Sequence, residues 1–181
     1  MKNLAILFFF VFSFTAFGGV SGEANAKTYK VREHRNIAYK KSGLLQNLLD
    51  VYTPKNKKLK NLPVVMLIHG GMWTYGPGPG FGLNKDTYAL LATRIAKRGI
   101  VVVVPNYRLR PLHKYPKYIQ DVASAFAWTK KNISRYKGSR KKMFVSGHSA
   151  GGHLAALLAT NTKYLKAARC SSKDIRGLIP I

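Results

Sequence analysis

Met143-Phe144-Val145-Ser146-Gly147-His148-Ser149-Ala150-Gly151-Gly152-His153-Leu154-Ala155-Ala156-Leu157-Leu158 is the stretch on which the fold turns. Met143 to Ser146 is a short apolar run, as a strand buried on both faces presents. Ala150 to Thr160 is largely apolar and long enough for a helix. Between them, Gly147 to Gly151 fits G-x-S-x-G. The pattern alone says little: with glycine at roughly 7% of residues, about one chain in twenty of this length carries it by chance. Its setting says more. A strand-to-helix turn this tight strains the serine backbone and pushes the Ser149 hydroxyl into the open. The glycines are needed because side chains there would collide, and the helix N-terminus behind the serine favours an anion. A helix cap on a glycine turn would share the five letters, so the rest of the chain has to decide.

Working outward, Val64–Ile68, Ile100–Val104 and Gly177–Ile181 read as further buried strands. Asp86–Arg98 reads as a helix, with Tyr88, Leu91, Ala92 and Ile95 on one face and Gly99 to end it. Pro116 opens a longer helix with Ile119, Val122, Ala123, Phe126 and Ile133 near one stripe. Thr28–Tyr39 and Leu45–Tyr52 alternate loosely, as an antiparallel pair at a sheet edge would, and Pro54 with Lys55–Asn61 forms the turn that follows. Strand, helix, strand, helix, strand, helix, strand predicts an α/β fold: a mostly parallel sheet with helices on both faces. In such sheets chemistry gathers at the carboxyl ends of the strands.

The first twenty-six residues stand apart. Lys2, the apolar run Leu4–Phe12 and the small residues of Ala24-Asn25-Ala26 have the layout of a secretory signal peptide cut before Lys27. The apolar run falls short of the roughly 20 residues that cross a bilayer, which argues against a membrane anchor. The expectation is a secreted or periplasmic protein, with residues 27–181 as one domain and no membrane span after cleavage. Cys170 is the only cysteine, so no internal disulfide forms and packing must hold the fold.

Charge is the oddest feature: 31 Lys plus Arg against 6 Asp plus Glu, a formal +25. Such a field favours weak binding to anionic surfaces. The basic residues are densest from Lys130 to Lys142 and from Lys55 to Lys60. Aromatics do not interleave with them in the way a nucleic-acid site requires, so solvated loops and helix ends are the plainer reading, with no specific nucleic acid as partner.

A second constellation, His69-Gly70-Gly71-Met72-Trp73, follows the strand Val64–Ile68 at its carboxyl end. Acyl transfer is helped by fixed N–H donors aimed at the developing oxyanion, and glycines let a backbone approach closely enough to supply them. The expected donors are the N–H groups of Gly71 and Met72 with that of Ala150, just after the serine. His69 is expected to order the loop, and Trp73 to pack beneath the site. Gly76–Leu83 would line one wall of a pocket.

His69-Gly70-Gly71-Met72-Trp73, Pro105-Asn106-Tyr107-Arg108-Leu109, Tyr115-Pro116 with Asp121, and Gly147–Ala155 occur in one order along the chain. In this they resemble the α/β-hydrolase esterases with an H-G-G-x-W loop: the feruloyl and acetyl-xylan esterase-like group, the arylformamidases and, more distantly, the hormone-sensitive-lipase-like carboxylesterases. The resemblance covers about Leu45 to Ile181. It implies an eight-stranded sheet, an acyl-enzyme on Ser149, a small-molecule ester as substrate, and neither metal nor organic cofactor. Met72 stands where the lipase-like branch has a third glycine, which favours the H-G-G-x-W branch. Arg110-Pro111-Leu112 stands where the lipase-like branch usually carries Ala-Pro-Glu.

A serine hydroxyl needs a histidine to take its proton and an acid to orient that histidine, in the order Ser, acid, His for this fold. After Ser149 the chain offers only His153, one helical turn on, and Asp174, at the wrong edge of the sheet. His34 and His113 come too early. The expectation is therefore the N-terminal part of an α/β-hydrolase domain with its C-terminal strands missing, incomplete as a catalyst. The alternative is a catalytically dead hydrolase shell that binds anionic polymers or surfaces through its charge.

Overall fold

The computed structural model describes residues 27–74 and 84–181. The signal peptide and the Gly76–Leu83 wall expected from the sequence lie outside them. Six strands and four helices follow in the order β1 (Val31–Ala38), β2 (Leu48–Pro54), β3 (Leu62–Ile68), α1 (Ala89–Lys97), β4 (Val101–Pro105), α2 (Lys117–Asn132), β5 (Gly138–Gly147), α3 (Ala150–Thr160), α4 (Thr162–Ala167) and β6 (Gly177–Pro180).

The strands form one sheet in the order β1-β2-β4-β3-β5-β6. β1 and β2 pair antiparallel at one edge, and β2 runs antiparallel to β4. From β4 through β3, β5 and β6 every pairing is parallel. This is the mostly parallel sheet with an antiparallel edge that the alternation of apolar runs predicts. The resemblance implies eight strands; the described residues supply six.

The central strand β4, Val101-Val102-Val103-Val104, explains the two-sided core. Side chains alternate across a strand, so Val101 and Val103 join the larger cluster with Met66, Ile68, Phe126 and Leu154, while Val102 and Val104 join Tyr52, Leu67, Tyr88 and Ala96 on the other face. All four valines are fully buried, each worth about 1.5–3 kcal/mol relative to exposure. α2 and α3 cover the first face and α1 the second, so helices do lie on both faces.

Three details depart from the sequence reading. α1 begins at Ala89 and not near Asp86, because Lys85 and Asp86 are drawn into ion pairs that hold a turn: Lys85 Nζ lies 3.0 Å from the buried Asp50 carboxylate and Arg35 pairs with Asp86. The face of α1 that meets the sheet is Tyr88, Ala92 and Ala96, while Leu91 points outward. β5 starts five residues before Met143, since Gly138 pairs with Leu62. Its first turn of sequence, Arg140-Lys141-Lys142, is exposed and carries no apolar signal.

Candidate active site

β5 ends at Gly147 and α3 begins at Ala150, leaving His148 and Ser149 to make the turn. Ser149 sits at φ +53°, ψ −119°, a region that costs a non-glycine residue of order 1–3 kcal/mol and persists only where the surroundings impose it. A Cβ at Gly147 would stand 2.4 Å from the Gly151 carbonyl oxygen, and one at Gly151 would stand 2.2 Å from that of Ile68. Glycine at both positions lets α3 start directly against the end of β3. The Ser149 N–H donates to the Ile181 carbonyl at 2.7 Å, and the Ile181 N–H returns a bond to Gly147 at 2.9 Å. The side chain is exposed, as the motif predicts.

The H-G-G-x-W loop lies against this turn. A Cβ on Gly70 would be 3.4 Å from Ser149 Cβ and 2.8 Å from the His148 carbonyl oxygen, so no larger residue fits between loop and serine. Gly71, Met72 and Trp73 follow with φ of +108°, +53° and +57°. For Met72 and Trp73 this is the left-handed region that side chains avoid. Thr74 N–H donates to the Gly71 carbonyl at 3.0 Å, and Arg110 N–H to the Trp73 carbonyl at 2.7 Å, which pins the turn from both sides. Among the described residues, no turn or loop carbonyl takes the N–H of Gly71 or Met72. Ala150 is the first residue of α3 and has no intrahelical acceptor for its own.

His69 is a structural residue of that loop. It is buried and its ring stacks on Tyr107, centroids 4.3 Å apart. Nδ1 meets the Gly70 carbonyl oxygen at 2.8 Å. A carbonyl can only accept, so the proton sits on Nδ1, and Nε2 is a bare acceptor with no partner among the described residues. Burial lowers its pKa to about 4, with the bond to Gly70 opposing only part of that shift. A ring neutral at pH 7 and turned away from solvent orders the loop. It is not a proton carrier for Ser149.

Two tyrosines that the sequence did not single out for the site hold the loop in place. Tyr107 Oη donates to the His69 carbonyl at 2.8 Å. Tyr88 Oη accepts from the Gly70 N–H at 3.0 Å and lies 3.5 Å from His148 Nδ1. In the sequence Tyr88 reads only as part of an apolar helix face, and Tyr107 only as a letter in a motif. Asp121 acts one step further out. Burial raises its pKa, but hydrogen bonds from Arg108 and Lys40 outweigh this and the net shift is downward. Its Oδ2 accepts from Arg108 Nε at 2.7 Å and from the Arg108 N–H at 3.0 Å, fixing the segment that carries Tyr107.

The remaining candidates separate as the sequence argued. His153 is exposed and presents its ring at 88° to Trp73, centroids 5.3 Å apart. Asp174 precedes β6 at the amino edge of the sheet, 2.6 Å from Lys130 Nζ. His34 packs edge-on against Tyr136. Ser149 Oγ has no side-chain hydrogen-bond partner among the described residues. Cys170 is buried, and burial raises its thiol pKa, as befits a packing residue. No group of three or more His, Cys, Asp or Glu that could hold a metal ion occurs among the described residues, and no described helix is long and apolar enough to cross a membrane.

Comparison with known proteins agrees with this architecture. The family model BD-FAE matches residues 49–174. Esterase LipC of Mycobacterium tuberculosis is 40% identical over 110 residues, covering 61% of this chain and 26% of its own length. Carboxylesterase NlhH of the same species is 36% identical over 127 residues, covering 70% of this chain and 37% of its own. Among solved structures, an inhibited esterase B from Lactobacillus rhamnosis superposes with a TM-score of 0.70 at 25% identity, over 83% of this chain and 48% of that one. An esterase from the archeon Pyrobaculum calidifontis gives 0.63 at 27%, over 86% and 44%. The chain thus spans less than half the length of each of these relatives. The matched segment runs from β2 through the serine turn to Asp174, and with it the chain belongs to the BD-FAE family, with the α/β-hydrolase fold.

Proposed function

We propose that the protein is a serine-dependent carboxylic-ester hydrolase with Ser149 as nucleophile. The reading rests above all on one observation: a serine held at φ +53° beside a glycine loop in which the N–H groups of Gly71 and Met72 have no other described acceptor. Ser149 Oγ attacks the ester carbonyl, and its proton passes to a histidine base. As the C–O bond to Oγ forms, the carbonyl oxygen becomes an oxyanion that takes hydrogen bonds from the N–H groups of Gly71, Met72 and Ala150. Collapse expels the alcohol, which takes the proton from the histidine, and leaves an acyl-enzyme. Water then repeats the cycle and releases the acid.

The histidine and its acid lie outside the described residues in this reading. His69 is buried and neutral, His153 abuts Trp73 and Asp174 pairs with Lys130. The complete catalyst is accordingly the protein as its source makes it, a small-molecule ester its substrate, and the residues before Lys27 direct it to the secreted or periplasmic space. The test is hydrolysis of p-nitrophenyl acetate by that protein alongside its Ser149→Ala form. Loss of at least a factor of about 10³ in kcat supports the reading. Equal activity in the variant removes it.

A further inference from the structure

The two lysine-rich stretches of the sequence meet in space. Lys137 follows the end of α2 in a left-handed conformation, φ +68°. From there its Nζ donates to the Asn56 carbonyl at 2.8 Å and the Pro54 carbonyl at 3.0 Å, groups 81 and 83 residues away in sequence. This staple brings the loop after β2 against the turn between α2 and β5. A cavity of about 520 Å³ lies between them, lined by Arg32, His34, Lys55, Lys57, Arg135 and Lys137 among others, with no acidic residue in the lining. Glu33 belongs to the opposite face of β1, where it meets Arg35 at 3.4 Å.

Five cations around one concave site, with no carboxylate among them, repel one another and focus positive potential into the cavity. His34 registers that field: burial lowers its pKa, and the charges of Arg32 and Lys137 lower it further. The aromatic rings nearby pack on one another. His34 stands edge-on to Tyr136 at 4.9 Å, and Tyr136 leans on Trp128 at 6.0 Å. The concave shape and limited volume favour a small ligand of high charge density over a long polymer or a flat membrane surface. Phosphate groups carry the most charge in that space and match both the Arg fork and the Lys ammonium.

The cavity is also remote from the ester site. Gly138 opens β5 close to Lys137, and Gly147 closes β5 at the serine turn. At about 3.3 Å per residue the strand puts roughly 30 Å between the two ends of the sheet. We infer that this cavity is a second site, separate from Ser149, that binds a compact anion carrying two or more phosphate groups.

Tripolyphosphate is the probe, and isothermal titration calorimetry of the full chain is the measurement. Lys57 and Arg135 are exposed, so a Lys57→Gln/Arg135→Gln double variant keeps the fold, which far-UV circular dichroism checks. Saturable 1:1 binding is expected, at least tenfold weaker in the double variant. A control pair on other surfaces, Lys97→Gln/Lys166→Gln, is expected to bind like the parent. Absence of saturable binding overturns the proposal. So does equal weakening in the control pair, which would mean attraction to the overall charge, and so does a single-stranded oligonucleotide that binds more tightly and displaces the probe. None of these readouts depends on ester hydrolysis.

Discussion

The Gly70 N–H donates to the hydroxyl of Tyr88 across 3.0 Å, tying the Gly70-Gly71 loop to the residue that leads into α1. Gly70 is buried, and its N–H has no water to turn to. Tyr88→Phe removes the acceptor while keeping the ring, so the donor is left unsatisfied at a cost of about 1–3 kcal/mol. Guanidinium unfolding of the full-length protein should show that loss. The loop it anchors should also loosen, so kcat falls more than KM changes. A variant as stable and as fast as the parent would show that the bond does not hold the loop.

Gly151 offers a sharper steric test. An alanine there would put Cβ 2.2 Å from the Ile68 carbonyl oxygen and 2.5 Å from that of His69. Both are backbone atoms of the strand end that carries the Gly70-Gly71 loop, so neither can swing aside. Gly151→Ala should cost about 3 kcal/mol, the upper end for overpacking, and should abolish hydrolysis. Gly43 supplies the control: no atom lies within 4 Å of its Cβ position, although its φ of +71° leaves some strain. Gly43→Ala should cost about 1 kcal/mol. Similar midpoints for the two variants would contradict the packing account.

His69 makes stability depend on pH. Its pKa is lowered from 6.5 to about 4 in the folded chain, so between those values the unfolded state binds the extra proton. Stability from this residue is complete above pH 6.5 and is lost as pH falls from 6.5 towards 4, on the order of 3 kcal/mol in all. Below about 4 both states are protonated and the slope ends. In His69→Asn the amide can still donate to the Gly70 carbonyl, and this part of the pH dependence should vanish. Unfolding midpoints at pH 7 and pH 4.5 measure it; an unchanged pH dependence in the variant would assign the effect to other groups.

Much of this was readable in the sequence, for physical reasons that differ by element. β3, β4 and α3 announce themselves because they are buried on nearly every side, so their runs of Val, Leu and Ala are continuous. The serine turn and the Gly70-Gly71 loop were readable because glycine there answers a steric demand that no other residue meets. What escaped depends on partners distant in sequence. The late start of α1 follows from Lys85 reaching Asp50. α4 is six residues long and gave no periodicity, although Asn161, whose side chain accepts from the Lys163 N–H, is a cap signal that was available. Tyr88 looked like core and is core, yet its hydroxyl serves the site. The meeting of the two lysine stretches rests on one left-handed residue, Lys137, which no local pattern marks.

The measurement that bears most directly on Ser149 is covalent labelling of the protein from its source with a fluorophosphonate, followed by tryptic mapping. Ser149 falls within the tryptic peptide 143–163. A stoichiometric phosphonyl adduct on Ser149 in that peptide, absent after heat denaturation, is the predicted result. No adduct on the folded protein, or an adduct on another residue, would contradict the assignment of Ser149 as the nucleophile.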